Sequence, residues 1–335
     1  MTDRPVVYVT RPIPEAGLEL LEEAEVEFHV RDEKLPPGKN ELVDRLVELD
    51  PEGLLCLLTD HIDGEVMDAA RSLDVVSTFS VGYDHIDMDS AEARGLAVGH
   101  TPGVLSETTA DFAWALLMTA ARRTVEGSEY VMADEWETWG PKLLTGPDVH
   151  GATLGVVGFG NIGSAVARRA AGFDMEVLYT DTGRQPDVEE ELAEYGVDAQ
   201  FVAEDELLER SDFVTLHVPL TPETEGFVGE PEVRAMKDSA VLVNTSRGPV
   251  VDTDALNTAL EEDWIERAAL DVTDPEPLPA DHEITRHVPE KLVLAPHIAS
   301  ASIGTRDRMA RMAAKNLLAG LAGEELPNSA IEDRR

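Results

Sequence analysis

The strongest constraint on the fold is rhythm: short runs rich in β-branched and apolar residues alternate with helical stretches, and the alternation runs through the chain twice. The first set comprises Val6–Thr10, Val26–Val30, Gly53–Leu58, Val75–Phe79 and Leu96–Gly99. The second restarts after Gly151 with Thr153–Val157, Glu176–Thr180, Phe213–His217, Ala240–Asn244, Ala268–Val272 and Leu292–Ala295. Strands separated by helices cannot pair as hairpins, so each connection must cross over, and both sets predict an α/β protein with parallel sheets covered by helices. At 335 residues the chain suits two domains of ~150 residues each. Between the sets lies an apolar segment that predicts one long helix over about Ser106–Tyr130, then a stretch with Trp136, Trp139, Gly140, Pro141, Gly146 and Pro147 that predicts an extended arm. A last helix, about Thr305–Leu321, has no strand of the second sheet left to serve and is expected to return to the first domain. The expected domains are therefore 1–103 with 302–335, and 104–301 inserted between them.

Charge bounds the partners. Sixty-seven Asp and Glu against 27 Lys and Arg leave a formal −40, and only six of the 27 are Lys. The acids are scattered (Glu22, Glu23, Glu25, Glu189, Glu190, Glu191, Glu261, Glu262, Asp263) and form no stripe that mimics nucleic acid. Such a surface repels nucleic acid and anionic lipid, so neither is expected as a partner, and its self-repulsion strains the compact state unless salt screens it. At ~1 M salt the Debye length is about 3 Å, and the composition reads as adaptation to a salty solvent. With 43% hydrophobic residues the chain can still bury a real core. The single cysteine, Cys56, sits in the apolar run Gly53–Leu58, so a buried thiol, no intrachain disulfide and a reducing cytoplasm are expected. Met1–Pro5 leads straight into a strand-like run, and the longest apolar run, Phe112–Ala121, falls far short of a ~20-residue span, so neither a signal peptide nor a membrane segment is expected.

One local motif carries chemistry by its context. Gly158-Phe159-Gly160-Asn161-Ile162-Gly163 follows a strand and opens a helical segment, and Asp181 closes the next strand. Glycines there permit a tight turn and close approach of backbone to a pyrophosphate, whose charge then lies at a helix N-terminus, while an acid about 20 residues on accepts a bond from a ribose hydroxyl. Asp181 argues for NAD, because a carboxylate repels a 2′-phosphate. Arg184 in the same turn can pair with that phosphate, so NAD and NADP both stay open.

Three further strand ends converge. Ala240–Asn244 leads into Thr245-Ser246-Arg247-Gly248, Asp271 ends the next run with Glu276 just beyond, and Ala295-Pro296-His297 ends the last. Ligands of open α/β sheets bind at the carboxyl ends of strands. There an arginine can grip a carboxylate with two parallel hydrogen bonds, an imidazole can deliver a proton to a carbonyl oxygen, and a carboxylate can hold that imidazole oriented and charged. Singly, each has an ordinary structural reading as a surface ion pair, one more acid, or a structural histidine. His282 and His287 lie in a Pro-rich loop without a third clear ligand, and no metal site is expected.

With these residues in view, the chain resembles the D-isomer-specific 2-hydroxyacid dehydrogenases, most closely the glyoxylate and hydroxypyruvate reductase branch. The resemblance runs over nearly the whole length and rests on Val81-Gly-Tyr-Asp-His-Ile-Asp87, Thr101–Asp111, Gly158–Gly163, His217-Val-Pro-Leu-Thr-Pro-Glu-Thr224, Asn244–Gly248, Leu270-Asp-Val272 with Glu276-Pro277, and Pro296-His-Ile298. It implies two Rossmann-like/flavodoxin-like domains around a cleft whose closure excludes water, and a nicotinamide cofactor, NAD or NADP, without a metal. It also implies reduction of small 2-keto acids to D-2-hydroxy acids. Arg247, Glu276 and His297 would be the catalytic set; Val81 and Gly82 would offer backbone N–H groups to the substrate carboxylate, with Ser300 nearby. Thr109, Asn161, Ile162, His217, Val218, Pro219, Thr224, Thr245 and Asp271 would line the cofactor. The family is usually dimeric through its nucleotide-binding domains, which suits the Ser106 helix and the Trp136–Pro147 arm. Two positions depart from the family pattern: Asp181-Thr-Gly-Arg184 stands where NADP-preferring reductases show Ser-Arg-Thr-Arg, and Thr273 follows Asp-Val where Phe is usual. Alternative readings are a corepressor-like NADH sensor, a class that adds docking surfaces and disordered tails, and formate, phosphite or phosphoglycerate dehydrogenase activity.

Overall fold

The computed structural model describes residues 4–333, so the outermost residues of the expected first domain lie outside the described part. The chain divides into two compact units, Met1–Leu105 with Ala301–Arg335, and Ser106–Ser300. In the first, β1 (Val6–Val9), β2 (Glu27–Val30), β3 (Gly53–Cys56), β4 (Val75–Thr78) and β5 (Ala97–Gly99) form a sheet in the order β2-β1-β3-β4-β5, with every pair parallel. Every residue of β3 and β4 is buried, which is why they read as unbroken apolar runs. Cys56 is a free buried thiol, its pKa pushed well above the ordinary value by burial. The helix Ile303–Leu321 packs on this sheet. Ser77 Oγ donates to its Ala313 carbonyl at 2.9 Å and its Asn316 Nδ2 donates to His100 O at 2.7 Å.

The second unit contains β6 (Thr153–Val157), β7 (Glu176–Thr180), β8 (Ala199–Phe201), β9 (Phe213–Leu216), β10 (Val241–Asn244), β11 (Arg267–Leu270) and β12 (Leu292–Leu294). Their order is β12-β11-β10-β9-β6-β7-β8, again with every pair parallel. Alternate residues face opposite cores: Val241 and Val243 join one hydrophobic cluster, and Leu242 joins the other. The direction of strand progression reverses between β6 and β9, and at such a switch point the flanking loops part to leave a crevice at the carboxyl ends of the strands.

Two expectations are corrected. The second sheet has a seventh strand, β8, beyond the six that the sequence pattern predicts; it is three residues at the sheet edge with only Ala199 buried, so it carries no apolar pattern. The expected single helix over Ser106–Tyr130 is two helices, Ser106–Ala121 and Thr124–Met132. Arg123 breaks it by adopting a left-handed conformation, φ 51°. Its guanidinium donates to both oxygens of Glu126, at 2.7 and 2.5 Å, and to Thr145 O at 3.3 Å. Gly146 meanwhile lies so close to Ala121 that a Cβ there would stand 1.9 Å from the Ala121 carbonyl oxygen.

Candidate active site

The glycine loop leaves β6 at the switch point. Gly158 has φ +85°, and a Cβ on it would meet His217 O at 2.7 Å; a Cβ on Gly163 would stand 2.0 Å from Gly158 O. Loop, helix Asn161–Arg169 and the neighbouring strand end thus touch backbone to backbone, which only glycine permits. Gly160 is different: its backbone is ordinary, φ −77° and ψ −159°, and a Cβ would meet nothing within 4 Å. Helix Asn161–Arg169 has no side-chain cap and, in a chain of −40, no acid in its first turn, so its free N–H groups face an open, anion-compatible space. An open cradle before unsatisfied donors fits a dinucleotide pyrophosphate.

Of the other sequence-derived nucleotide residues, Asp181 and His217 touch this loop. Asp181 Oδ2 accepts from Phe159 N at 2.7 Å, and its Oδ1 accepts from Thr182 N at 2.6 Å. Arg184 donates through Nε and Nη2 to the carboxylate of Glu189, at 2.9 and 2.7 Å, and this holds the Glu189 carboxyl below its usual range. Tyr179 OH donates to the same carboxylate at 2.6 Å; burial pushes its pKa up to about 12, and its ring stacks on Phe159 at 3.8 Å. His217 lies within hydrogen-bonding distance of Thr215 through Nε2, 2.8 Å, while its Nδ1 is buried without a partner among the described residues; burial lowers its pKa to about 3, so the ring is neutral at ordinary pH. In the same loop, past Val218 and Pro219, the Thr224 hydroxyl accepts from Thr221 N and donates to Pro219 O, which holds the loop in shape. Thr109 is buried on helix Ser106–Ala121, and Thr245, directly after β10, has a buried hydroxyl with no partner among the described residues.

The catalytic candidates leave three adjacent strands in register, Asn244 beside Leu270 and Leu270 beside Leu294. Asn244, fully buried, closes the turn after β10: its Oδ1 accepts from Ser246 N at 2.9 Å and Ser246 Oγ at 2.7 Å, and its Nδ2 donates to Arg247 O at 2.8 Å. Gly248 then abuts the next loop, since a Cβ would lie 2.0 Å from Thr273 O. Asp271 is buried and its carboxylate accepts from Ile298 N and Ala299 N, both at 2.8 Å, while His297 N donates to its backbone carbonyl. Desolvation raises the pKa of Asp271 against the pull of those two N–H groups. The clamp keeps His297 at φ 55°, a left-handed conformation uncommon for histidine. His297 Nδ1 lies 2.6 Å from Glu276 Oε1, and both side chains are partly exposed. In the first unit, Val81 and Gly82 follow β4. Their carbonyls accept from His100 Nδ1 at 2.9 Å and Ser80 Oγ at 2.7 Å, which ties the turn down. Thr273, the unusual residue after Asp-Val, donates its hydroxyl to Pro275 O at 2.9 Å in the loop that carries Glu276.

A glycine loop at the switch point of a parallel sheet, followed by an imidazole–carboxylate pair two strands from an arginine, defines a class: dehydrogenases that work on a bound nicotinamide. Comparison with known proteins narrows it. Residues 114–299 match the model of the D-isomer specific 2-hydroxyacid dehydrogenase NAD binding domain. A glyoxylate reductase of Korarchaeum cryptofilum is 52% identical over 326 residues, 97% of this chain and 95% of that one. One from Thermofilum pendens is 50% identical over 97% and 94%. A crystal structure of a Thermus thermophilus protein superposes with a TM-score of 0.89 at 45% identity, covering 97% of this chain and 99% of that one. The chain belongs to the D-isomer specific 2-hydroxyacid dehydrogenase family. It is an oxidoreductase that reduces 2-keto acids with a nicotinamide cofactor.

Sequence reasoning assigns Asn244 and Glu189 no role. An Asn at a strand end two residues before a Ser is an Asx-turn signal. Nothing local marks Glu189 among its acidic neighbours.

Proposed function

We propose that the chain reduces glyoxylate, and with it short 2-keto acids such as hydroxypyruvate, to the corresponding D-2-hydroxy acids, with His297 as the proton donor. The observation that carries this reading is the 2.6 Å contact between His297 Nδ1 and Glu276 Oε1, and both relatives above are glyoxylate reductases. When bound, the reduced nicotinamide supplies a hydride to C2 of the keto acid. The rest falls to the protein. Arg247 grips the carboxylate through its planar fork, with the side chain of Ser300 as a further contact. His297 donates a hydrogen bond from Nδ1–H to Glu276, which orients the ring and balances its charge; Nε2–H then faces the keto oxygen and its proton passes to that oxygen as the hydride arrives. One hydride and one proton convert C=O into CH–OH. In the assignment of domains, 104–301 binds the nucleotide, and 1–103 with 302–335 is the substrate domain.

Val131, Met132, Trp136 and Trp139 expose large apolar surfaces, Met132 by 83% and Trp139 by 77%. A second copy of the chain covering them makes a homodimer, measurable as twice the 36.4 kDa monomer mass by light scattering. Among the described residues no helix is long and apolar enough to cross a membrane, and we place the enzyme in the cytoplasm.

His297→Gln tests the chemistry. Loss of 340 nm absorbance with glyoxylate should fall by about 10²–10⁴-fold, the usual worth of a general acid, while NADH still binds. A variant that turns over at the parental rate overturns the assignment.

A further inference from the structure

We infer that Glu189 withholds Arg184 from a cofactor's 2′-phosphate, and so sets this site for the unphosphorylated dinucleotide. The inference rests on the dinucleotide reading of the glycine loop. In the turn after β7, a guanidinium is the group able to pair with a 2′-phosphate, and a carboxylate is the group that bonds a free 2′-hydroxyl. Asp181 supplies the carboxylate. Arg184 supplies the guanidinium, but its Nε and Nη2 already donate to the two oxygens of Glu189, at 2.9 and 2.7 Å.

A single exposed ion pair ordinarily holds a side chain weakly. This one has a fixed partner. The Glu189 side chain is only 15% exposed, and it also accepts from Tyr179 OH at 2.6 Å. Tyr179 is fully buried, stacks on Phe159 of the glycine loop at 3.8 Å, and its oxygen accepts from Gln185 N at 2.8 Å. Arg184 is thus held by a relay that starts inside the glycine loop. The helix that carries Glu189, Pro186–Glu194, adds Asp187, Glu190, Glu191 and Glu194 and no basic residue. With the cation neutralised, the charge left in the turn is that of Asp181, which repels a phosphate and accepts a hydroxyl.

Isothermal titration of the intact protein with NADH and with NADPH, without keto acid, reads this directly. The parent should bind NADPH at least about tenfold more weakly than NADH. Glu189→Gln frees the guanidinium and should lower the ratio of the NADPH to the NADH dissociation constant by about tenfold or more, the worth of one charge-assisted hydrogen bond to the phosphate. Adding Arg184→Ala to Glu189→Gln should return the ratio to within about twofold of the parent. A lowered ratio that survives in the double variant reflects loss of a negative charge alone and overturns the clamp, as does an unchanged ratio in Glu189→Gln. Tyr179→Phe, which loosens Glu189 without altering charge, should shift the ratio the same way by a smaller factor; no shift counts against the relay. If the parent binds neither dinucleotide, the site reading itself falls. If it binds NADH while Glu189→Gln binds NADPH no more tightly, only the present inference falls.

Discussion

Replacing Gly160 by alanine separates a glycine kept for a ligand from glycines kept for the fold. At Gly163 the reason is internal, because a Cβ would sit 2.0 Å from Gly158 O and 3.1 Å from Val156 Cγ1. Relief requires two backbone segments to part by roughly 1 Å, an overpacking cost of about 1–3 kcal/mol, or about 3–10 °C in the melting temperature of a unit this size. At Gly160 the Cβ meets nothing within 4 Å and the backbone suits any residue, so Gly160→Ala should melt at or slightly above the parental temperature. The methyl group instead fills space before the free N–H groups of helix Asn161–Arg169. A pyrophosphate held about 2.9 Å from those donors and displaced by about 1 Å loses one or two charge-assisted bonds of about 1.5–3 kcal/mol each. The NADH dissociation constant should therefore rise between about tenfold and about 10⁴-fold. Calorimetric melting and NADH titration of both variants make the comparison. If Gly160→Ala melts as low as Gly163→Ala, or binds NADH as tightly as the parent, the open cradle is not a pyrophosphate site.

Asn244→Asp keeps the shape of the turn after β10 but sets a carboxylate oxygen against Arg247 O in place of the Nδ2 donor; the KM for glyoxylate should rise about 10–100-fold, with a smaller change in NADH affinity, and equal losses in both would show a merely structural role. Burial holds His217 near a pKa of about 3, against 6.5 unfolded. Between those values the unfolded chain binds the extra proton, so this residue's contribution to stability is complete above about pH 6.5 and is lost on acidification. The loss is about 1.4 kcal/mol per pH unit, read as the difference in urea-unfolding free energy between parent and His217→Gln from pH 6.5 to 4.5; a difference that is flat or grows on acidification refutes it. A chain of −40 should melt several degrees higher in 2 M than in 0.1 M KCl as repulsion is screened. A lower melting temperature in the concentrated salt would show that the ion pairs, not the net charge, dominate.

Strands buried on both faces, such as β3, β4 and β10, are written as continuous β-branched or apolar runs, and their crossover spacing makes a parallel sheet the natural reading. Edge strand β8 escapes such a reading because Gln200 and Phe201 are exposed and carry no periodicity. The helix break at Arg123 escapes for another reason: it depends on Thr145 O and on Gly146 packing against Ala121, contacts made by residues more than 20 positions away. Thr273 is legible as unusual, yet its hydroxyl bond to Pro275 O becomes visible only with the loop folded.

From the order of residues alone come the succession of strands and helices, the glycine turn before a helix, and the presence of an arginine, a carboxylate and an imidazole past successive strand ends. Each is encoded by near neighbours, through backbone conformation and the pattern of apolar side chains. The meeting of His297 with Glu276, 21 positions apart, the buried hold of Asn244 on the Arg247 turn and the grip of Glu189 on Arg184 belong to the folded chain. Those contacts depend on strand register and rotamer choice, which are settled only when distant segments pack and exclude the alternatives.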